Sequence, residues 1–367
     1  MQEVLSVLPL DPMSTAWLAP DWEEEEQSDE IVREKHLLLD HIVERGQEPL
    51  RIDKYLLTKI GSLTRSKVQQ GIDDGLVNIN QKPIKANYKV RPGDHLLVYT
   101  YREPDITEIL PENIPLDIVY EDDDLLLIHK PYNMVVHPGH GNYTGTVVNA
   151  LSYYLGQQNP ESTQLPRIGL VHRIDKDTTG LLVVGKSEQA INGLSEQFKD
   201  HTVERTYQAL VWGDVEEDEG RIETYIGRHE RLRKIFTVYD ADDEKGKHAI
   251  THYRVLERLH YVTLVECRLE TGRTHQIRVH MKHIGHTLFN DSTYGGDRIL
   301  KGTVFSKYQQ FVDNCFKLLP RQALHAKTLG FVHPITREKV FFESELPADM
   351  EAVLEKWRTY VKAKKPV

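Results

Sequence analysis

Cysteine is nearly absent: Cys267 and Cys315 are the only two in 367 residues. Two thiols can build neither a disulfide framework nor a four-thiolate metal centre, and their scarcity fits a reducing compartment. No apolar run reaches the roughly 18 to 20 residues that span a bilayer. The opening stretch MQEVLSVLPLDPMSTAW has no basic region ahead of an apolar one, so a cleaved secretory signal is not expected and the predicted location is cytoplasmic. With only 17 prolines the chain is neither collagen-like nor a proline-rich low-complexity protein. What remains is an ordinary globular composition, 39% hydrophobic and 28% charged, with length enough for two or three domains.

Positive charge is short as well: 46 Lys and Arg against 56 Asp and Glu leave a net charge of −10. Such a balance argues against a nucleic-acid partner, whose phosphates are neutralised by Lys and Arg. The location of the acid reverses that inference. Residues 1–48 hold 13 acidic and 3 basic side chains, which accounts for the whole imbalance, and everything after them is neutral in sum. Residues 1–35, with WEEEEQSDE and no apolar period, read as a flexible, solvating acidic tail.

From residue 36 to 100 the chain reads as a compact module. RIDKYLLTKIG places Ile52, Tyr55, Leu56 and Ile60 on one helical stripe, with Gly61 as a stop. SLTRSKVQQGIDDG gives a second helix, Thr64 its N-cap and Gly75 just past its end. VNINQKPIKANYKVRPGDHLLVY then alternates as short strands broken by turns. Between Arg51 and Asp94 stand nine Lys and Arg against four Asp, a basic module on an acidic chain. REPDITEILPENIP, spanning most of 101–113, reads as a linker. From 114 to 367, strand-like runs (LLVVGK, TYQALVWG, YVTLVECRLE) alternate with helical ones (TVVNALSYYL, SEQAINGLSEQFKDH, THQIRVHMKHIG) without βαβ regularity, which predicts an α+β domain on a largely antiparallel sheet with a cleft.

The segment IGLVHRIDKDTTGLLVVGKS is the most informative. A polar loop held between two apolar strands is a rigid mount for a catalytic side chain. Here the sequence resembles the RluA/RluD family of pseudouridine synthases, whose central motif reads HRLD followed by TSG or TTG. HKPYNMVVHPGHG, ERTYQALVWG, ETGRTHQIRVHMKHIGHTLFNDSTYGG and RQALHAKTLGFVHP resemble further family segments, and RIDKYL, TRSKVQQGI, GLVNIN and RPGD resemble an S-four-like RNA-binding domain. The likeness runs over roughly 36–347. Asn133, Thr287 and Asn290 depart from the family's usual small residue, Pro and Gly. The resemblance implies a catalytic Asp175, a Tyr207 lying against the target base, an Arg278 paired with the carboxylate, and a supporting Arg173. It also implies an RNA partner, above all large-subunit ribosomal RNA or an assembling ribosomal particle.

The chemistry suits these residue types. Pseudouridine formation breaks a carbon–nitrogen glycosidic bond, turns the freed uracil and makes a carbon–carbon bond, with no redox change and no need of a cofactor. A carboxylate can stabilise the sugar's growing positive charge, attack it, or take the ribose 2′ proton. Burial disfavours a carboxylate's charge unless a cation offsets it, and arginine cannot give up its proton. An extruded base needs backbone contacts outside its pocket. The expected RNA contacts are Arg51, Lys54, Arg65 and Lys67 in the basic module, and Arg273, His275 and Lys282 in the run from Thr271 to His286.

Plainer readings compete. Asp175 could be a turn residue satisfied by amides, Arg278 a surface charge, Tyr207 a core strand residue, and the basic module a support for the fold. The four histidines of the Thr271–His286 run lack the spacing of a ligand trio, so no metal is expected. A non-catalytic RNA-binding or ribosome-assembly protein would tolerate loss of Asp175. A nucleoside hydrolase would need a second carboxylate across the scissile bond. A monomer is favoured.

Overall fold

The computed structural model describes residues 35–60, 65–101, 109–139, 142–232, 235–243 and 245–364. Residues 1–34 of the predicted tail, the expected stop Gly61 and cap Thr64, and most of the predicted linker lie outside them. The described residues divide into two units, one on each side of 102–108.

The first unit comprises β1 (Lys35–Ile42), α1 (Ile52–Lys59), α2 (Arg65–Asp73), β2 (Val77–Ile79), β3 (Lys82–Pro83) and β4 (His95–Tyr101), with its four strands ordered β1-β4-β2-β3. The helical stripe closes its core: Ile52, Tyr55 and Leu56 bury against Val68 and Ile72 of α2 and Leu96 and Val98 of β4. Gly75 ends α2 with φ +67°, the left-handed turn that glycine adopts without strain. Asp94 closes the RPGD turn by accepting from the Arg91 amide at 2.8 Å and the Tyr88 hydroxyl at 2.9 Å.

The second unit contains β5 (Ile118–Glu121), β6 (Leu125–Lys130), α3 (Val147–Gln158), β7 (Thr179–Gly185), α4 (Glu188–Lys199), β8 (Glu204–Trp212), β9 (Glu219–Arg228), β10 (Phe236–Tyr239), β11 (Lys247–Arg258), β12 (Val262–Leu269), α5 (Gln276–His283), α6 (Ser306–Leu318), β13 (Leu324–Val332), β14 (Lys339–Glu343) and α7 (Ala348–Lys364). Its sheet runs β10-β9-β11-β12-β8-β13-β7-β6-β5, with β14 also on β13. Among the described pairings only β13 with β7 is parallel. This is the expected α+β architecture.

Strand periodicity decides what each face holds. Leu125, Leu127, Leu181 and Val183 pack under α4, while Leu126, Ile128, Leu182 and Val184 pack under α3, so both faces of β6 and β7 are covered. Strands buried on two sides read as continuous apolar runs, as LLLI and LLVV do. On β8, Leu210 and Trp212 turn toward Trp357 and Val353 of α7 and Val312 of α6. Tyr207, Ala209 and Val211 turn the other way, toward Ile277 and Met281 of α5. One side of the sheet thus carries the C-terminal helices, and the other is left for the site.

Candidate active site

Asp175 stands in the loop between the isolated bridge at Leu170 and the start of β7. Val171 and Ile174 bury their side chains and anchor the loop, while the Thr178 amide donates to the Asp175 carbonyl at 3.1 Å and closes the turn. Neighbouring segments brace it. Lys130, fully buried, donates from Nζ to the carbonyls of Pro131, Met134 and Lys176 at 2.7, 2.9 and 2.9 Å. Arg321 donates to the Asp177 carbonyl at 3.3 Å while Asp349 grips its Nε and Nη2. The segments HKPYN and RQALH therefore hold the loop from outside.

Two departures from the family pattern sit in left-handed backbone. Asn133 has φ 59° and Asn290 φ 57°, a conformation that asparagine tolerates better than most residues. Asn290 also donates to the Leu319 carbonyl at 2.6 Å, which ties its loop to the end of α6.

Arg278 projects from α5, and its Nη1 donates to Asp175 Oδ2 at 3.0 Å. Its Nε and Nη2 donate to the two oxygens of Asp291 at 2.8 and 3.0 Å. Burial pulls the guanidinium's pKa down, but Asp291 and then Asp175 outweigh it, and the net direction is upward. His275 enters α5 with φ 56°; it shares a hydrogen bond with the Tyr294 hydroxyl at 2.8 Å and brings Nε2 to 4.0 Å from Asp175 Oδ2. Tyr207 lies on β8 beside this pair, only 7% exposed, its phenol pKa raised by burial, then lowered by Arg205 and raised by Asp175.

These groups line a cavity of about 270 Å³, near the lower end of small-molecule sites and suited to one nucleoside rather than a duplex. Arg173, Lys199, Arg205, Arg273 and Arg278 line it, and among the described residues Asp175 is its only carboxylate.

The remaining predicted contacts are dispersed. Arg273 lines the cavity and donates from Nε to the His248 carbonyl at 3.0 Å. Lys282 is exposed, its Nζ 5.4 Å from the Tyr294 ring centre. Arg51 pairs with the buried Asp53 at 3.1 Å, and Lys54 is exposed. Arg65 and Lys67 lie on α2; their side chains are outside the description. His280 points inward, held between Thr224 and Thr251 with its pKa pushed down to about 4 by burial and His283. His172 stacks on Phe198 at 4.5 Å, accepts from the Val183 amide, and is pushed down to about 3 by burial and Arg205. Asp291 and Arg205 were not singled out in the sequence. Arg205 was legible in principle, since it shares the face of Tyr207 two residues along an alternating strand.

The human protein RNA Pseudouridylate Synthase Domain Containing 4 superposes with a TM-score of 0.50 at 23% identity, over 66% of this chain and 92% of that one; the shared fold is an α+β pseudouridylate-synthase fold. The profile described as RNA pseudouridylate synthase matches residues 124–283, and that of the S4 domain matches 50–96. An uncharacterized RNA pseudouridine synthase of Chlorobaculum parvum is 46% identical over 323 residues, 88% of this chain and 98% of that protein. Ribosomal large subunit pseudouridine synthase D of Zymomonas mobilis is 40% identical, over 82% of this chain and 92% of its own. The chain belongs to the RNA pseudouridine synthase family, isomerases that convert uridine in RNA to pseudouridine. No described helix is long and apolar enough to cross a membrane.

Proposed function

We propose that this protein isomerises uridines in large-subunit ribosomal RNA, with Asp175 as the essential carboxylate. The observation that carries the site assignment is the 3.0 Å contact of Arg278 Nη1 with Asp175 Oδ2 inside the cavity. The target uridine leaves its stack and enters beside Tyr207, where the carboxylate faces the sugar as the glycosidic bond breaks. The uracil turns and rejoins through carbon, so no atom is lost and no electron acceptor is required. Glycoside cleavage in the manner of a hydrolase would call for a second acid across the bond, and no other described carboxylate lines the cavity.

The ribosomal substrate is supported by the relatives named large-subunit pseudouridine synthase D. Residues 36–100 act as the RNA-binding module and 114–367 as the catalytic domain, working as a monomer in the cytoplasm where ribosomal subunits assemble. Arg173 supports the flipped nucleotide, and Arg51, Lys54, Arg65, Lys67, Arg273, His275 and Lys282 serve the surrounding strand. The test is a pseudouridine map of large-subunit ribosomal RNA in cells lacking the protein, restored with the parent or with Asp175→Asn. The parent restores the missing sites and the variant does not. Restoration by Asp175→Asn would remove the aspartate from its role.

A further inference from the structure

Among the described residues Arg205 is a cation without a paired anion, and Nε of its guanidinium is buried with no hydrogen-bond partner. The group rests on the Phe198 ring, 5.6 Å from its centre, and crowds Gly272 so closely that a Cβ there would lie 2.8 Å from Nη2. Its charge reaches His172, His201 and Tyr207. Withdrawing an unpaired ion from water is costly, and a guanidinium has no neutral form to retreat into. A fold that keeps such a group facing a cavity lacks one partner.

The chemistry of that partner follows from the wall on which Arg205 stands. Lys199, His201, Gly272 and Arg273 line the same cavity, and among its described lining residues the one carboxylate is Asp175. Uracil is neutral and leaves this positive charge uncompensated. A phosphodiester supplies a full negative charge and two oxygens matched to a guanidinium fork. Arg205 and Tyr207 lie on one face of β8, about 6.6 Å apart along the strand, on the scale that separates a base from its own phosphate. We propose that Arg205 binds a phosphodiester of the RNA strand adjoining the uridine held against Asp175. This rests on the reading that the Asp175 cavity receives the target nucleotide.

The experiment measures binding of the full chain to an in vitro transcript of bacterial large-subunit ribosomal RNA over a series of salt concentrations. Arg205→Met should make the slope of log K against log salt shallower by about 0.7 to 0.9, the loss of one phosphate contact, and Arg205→Lys should keep the parent slope. Without RNA, Arg205→Met should melt at or above the parent temperature, because it removes a buried unpaired charge. A parent-like slope in Arg205→Met overturns the proposal. A lowered melting temperature overturns it too, since it would make the guanidinium a part of the fold. Asp175→Asn, measured in parallel, should bind with the parent slope and form no pseudouridine. If that variant stays active the cavity reading fails separately, whatever the slope at Arg205.

Discussion

Asp291 grips Arg278 from the side away from Asp175. Its two oxygens take Nε at 2.8 Å and Nη2 at 3.0 Å, which leaves Nη1 to reach Asp175 at 3.0 Å. Asp291 is fully buried and Asp175 is 17% exposed. One guanidinium thus spans a structural carboxylate and a cavity carboxylate, and the first fixes where the second is met.

Arg278→Lys should therefore keep the charge and lose the geometry, because a single ammonium on a flexible stem cannot serve both carboxylates in fixed directions. The single-turnover rate of pseudouridine formation should fall by about a hundredfold or more, the scale of losing one preorganised electrostatic contact, with RNA affinity near the parent's. A rate within threefold of the parent would show that position 278 needs charge alone.

Asp291→Ala should act mainly on the fold. It strands a buried guanidinium with Asp175 as its sole carboxylate, and breaking one side of a buried pair costs about 3 to 5 kcal/mol. Urea unfolding should show the midpoint falling with little change in slope. A midpoint equal to the parent's would mean that Arg278 swings out to water when released.

Gly180 ends the motif that begins at His172, and its requirement is steric. With φ +117°, a Cβ there would lie 2.2 Å from the Ala326 carbonyl oxygen across the parallel register of β7 and β13. Gly180→Ala combines a disfavoured backbone with a backbone clash, and should cost about 2 to 4 kcal/mol in urea unfolding. The variant should also lose activity, since the strand it displaces begins where the Asp175 loop ends.

Several parts of the fold and of the site were legible in the sequence for reasons that act locally. The loop of Asp175 is polar between two apolar runs because its flanking strands are buried, and the stripe of Ile52, Tyr55 and Leu56 marks a helix packed on one face. The partner of Arg278 was not legible. Asp291 lies 13 positions on, past the end of α5 and a turn at Gly285, and no helical or strand period joins them. Lys130 reads as a surface lysine before a proline, yet it is fully buried among carbonyls contributed partly by a loop 46 positions away. Helices α6 and α7 were not named either, although their moderate amphipathic pattern covers the Trp212 side of β8. Contacts made by tertiary closure leave no period to read.

The buried histidines set the protein's acid sensitivity. His137, His172, His280 and His325 have pKa values pushed down to about 3, 3, 4 and 3, with burial the largest cause in each. In the unfolded chain each returns to about 6.5. Below that value the unfolded state binds protons that the folded state refuses, so stability is greatest above pH 6.5 and falls as pH drops toward the folded values. From pH 7.5 to 5.5 each such histidine should cost about 1 kcal/mol, in a window that precedes most carboxylate titration. The urea midpoint should accordingly fall between those two pH values. In His172→Gln, whose side-chain oxygen can still accept from the Val183 amide, roughly a quarter of that fall should disappear. An unchanged fall would mean that His172 is protonated in the folded protein, which its stacking on Phe198 and its accepted hydrogen bond both oppose.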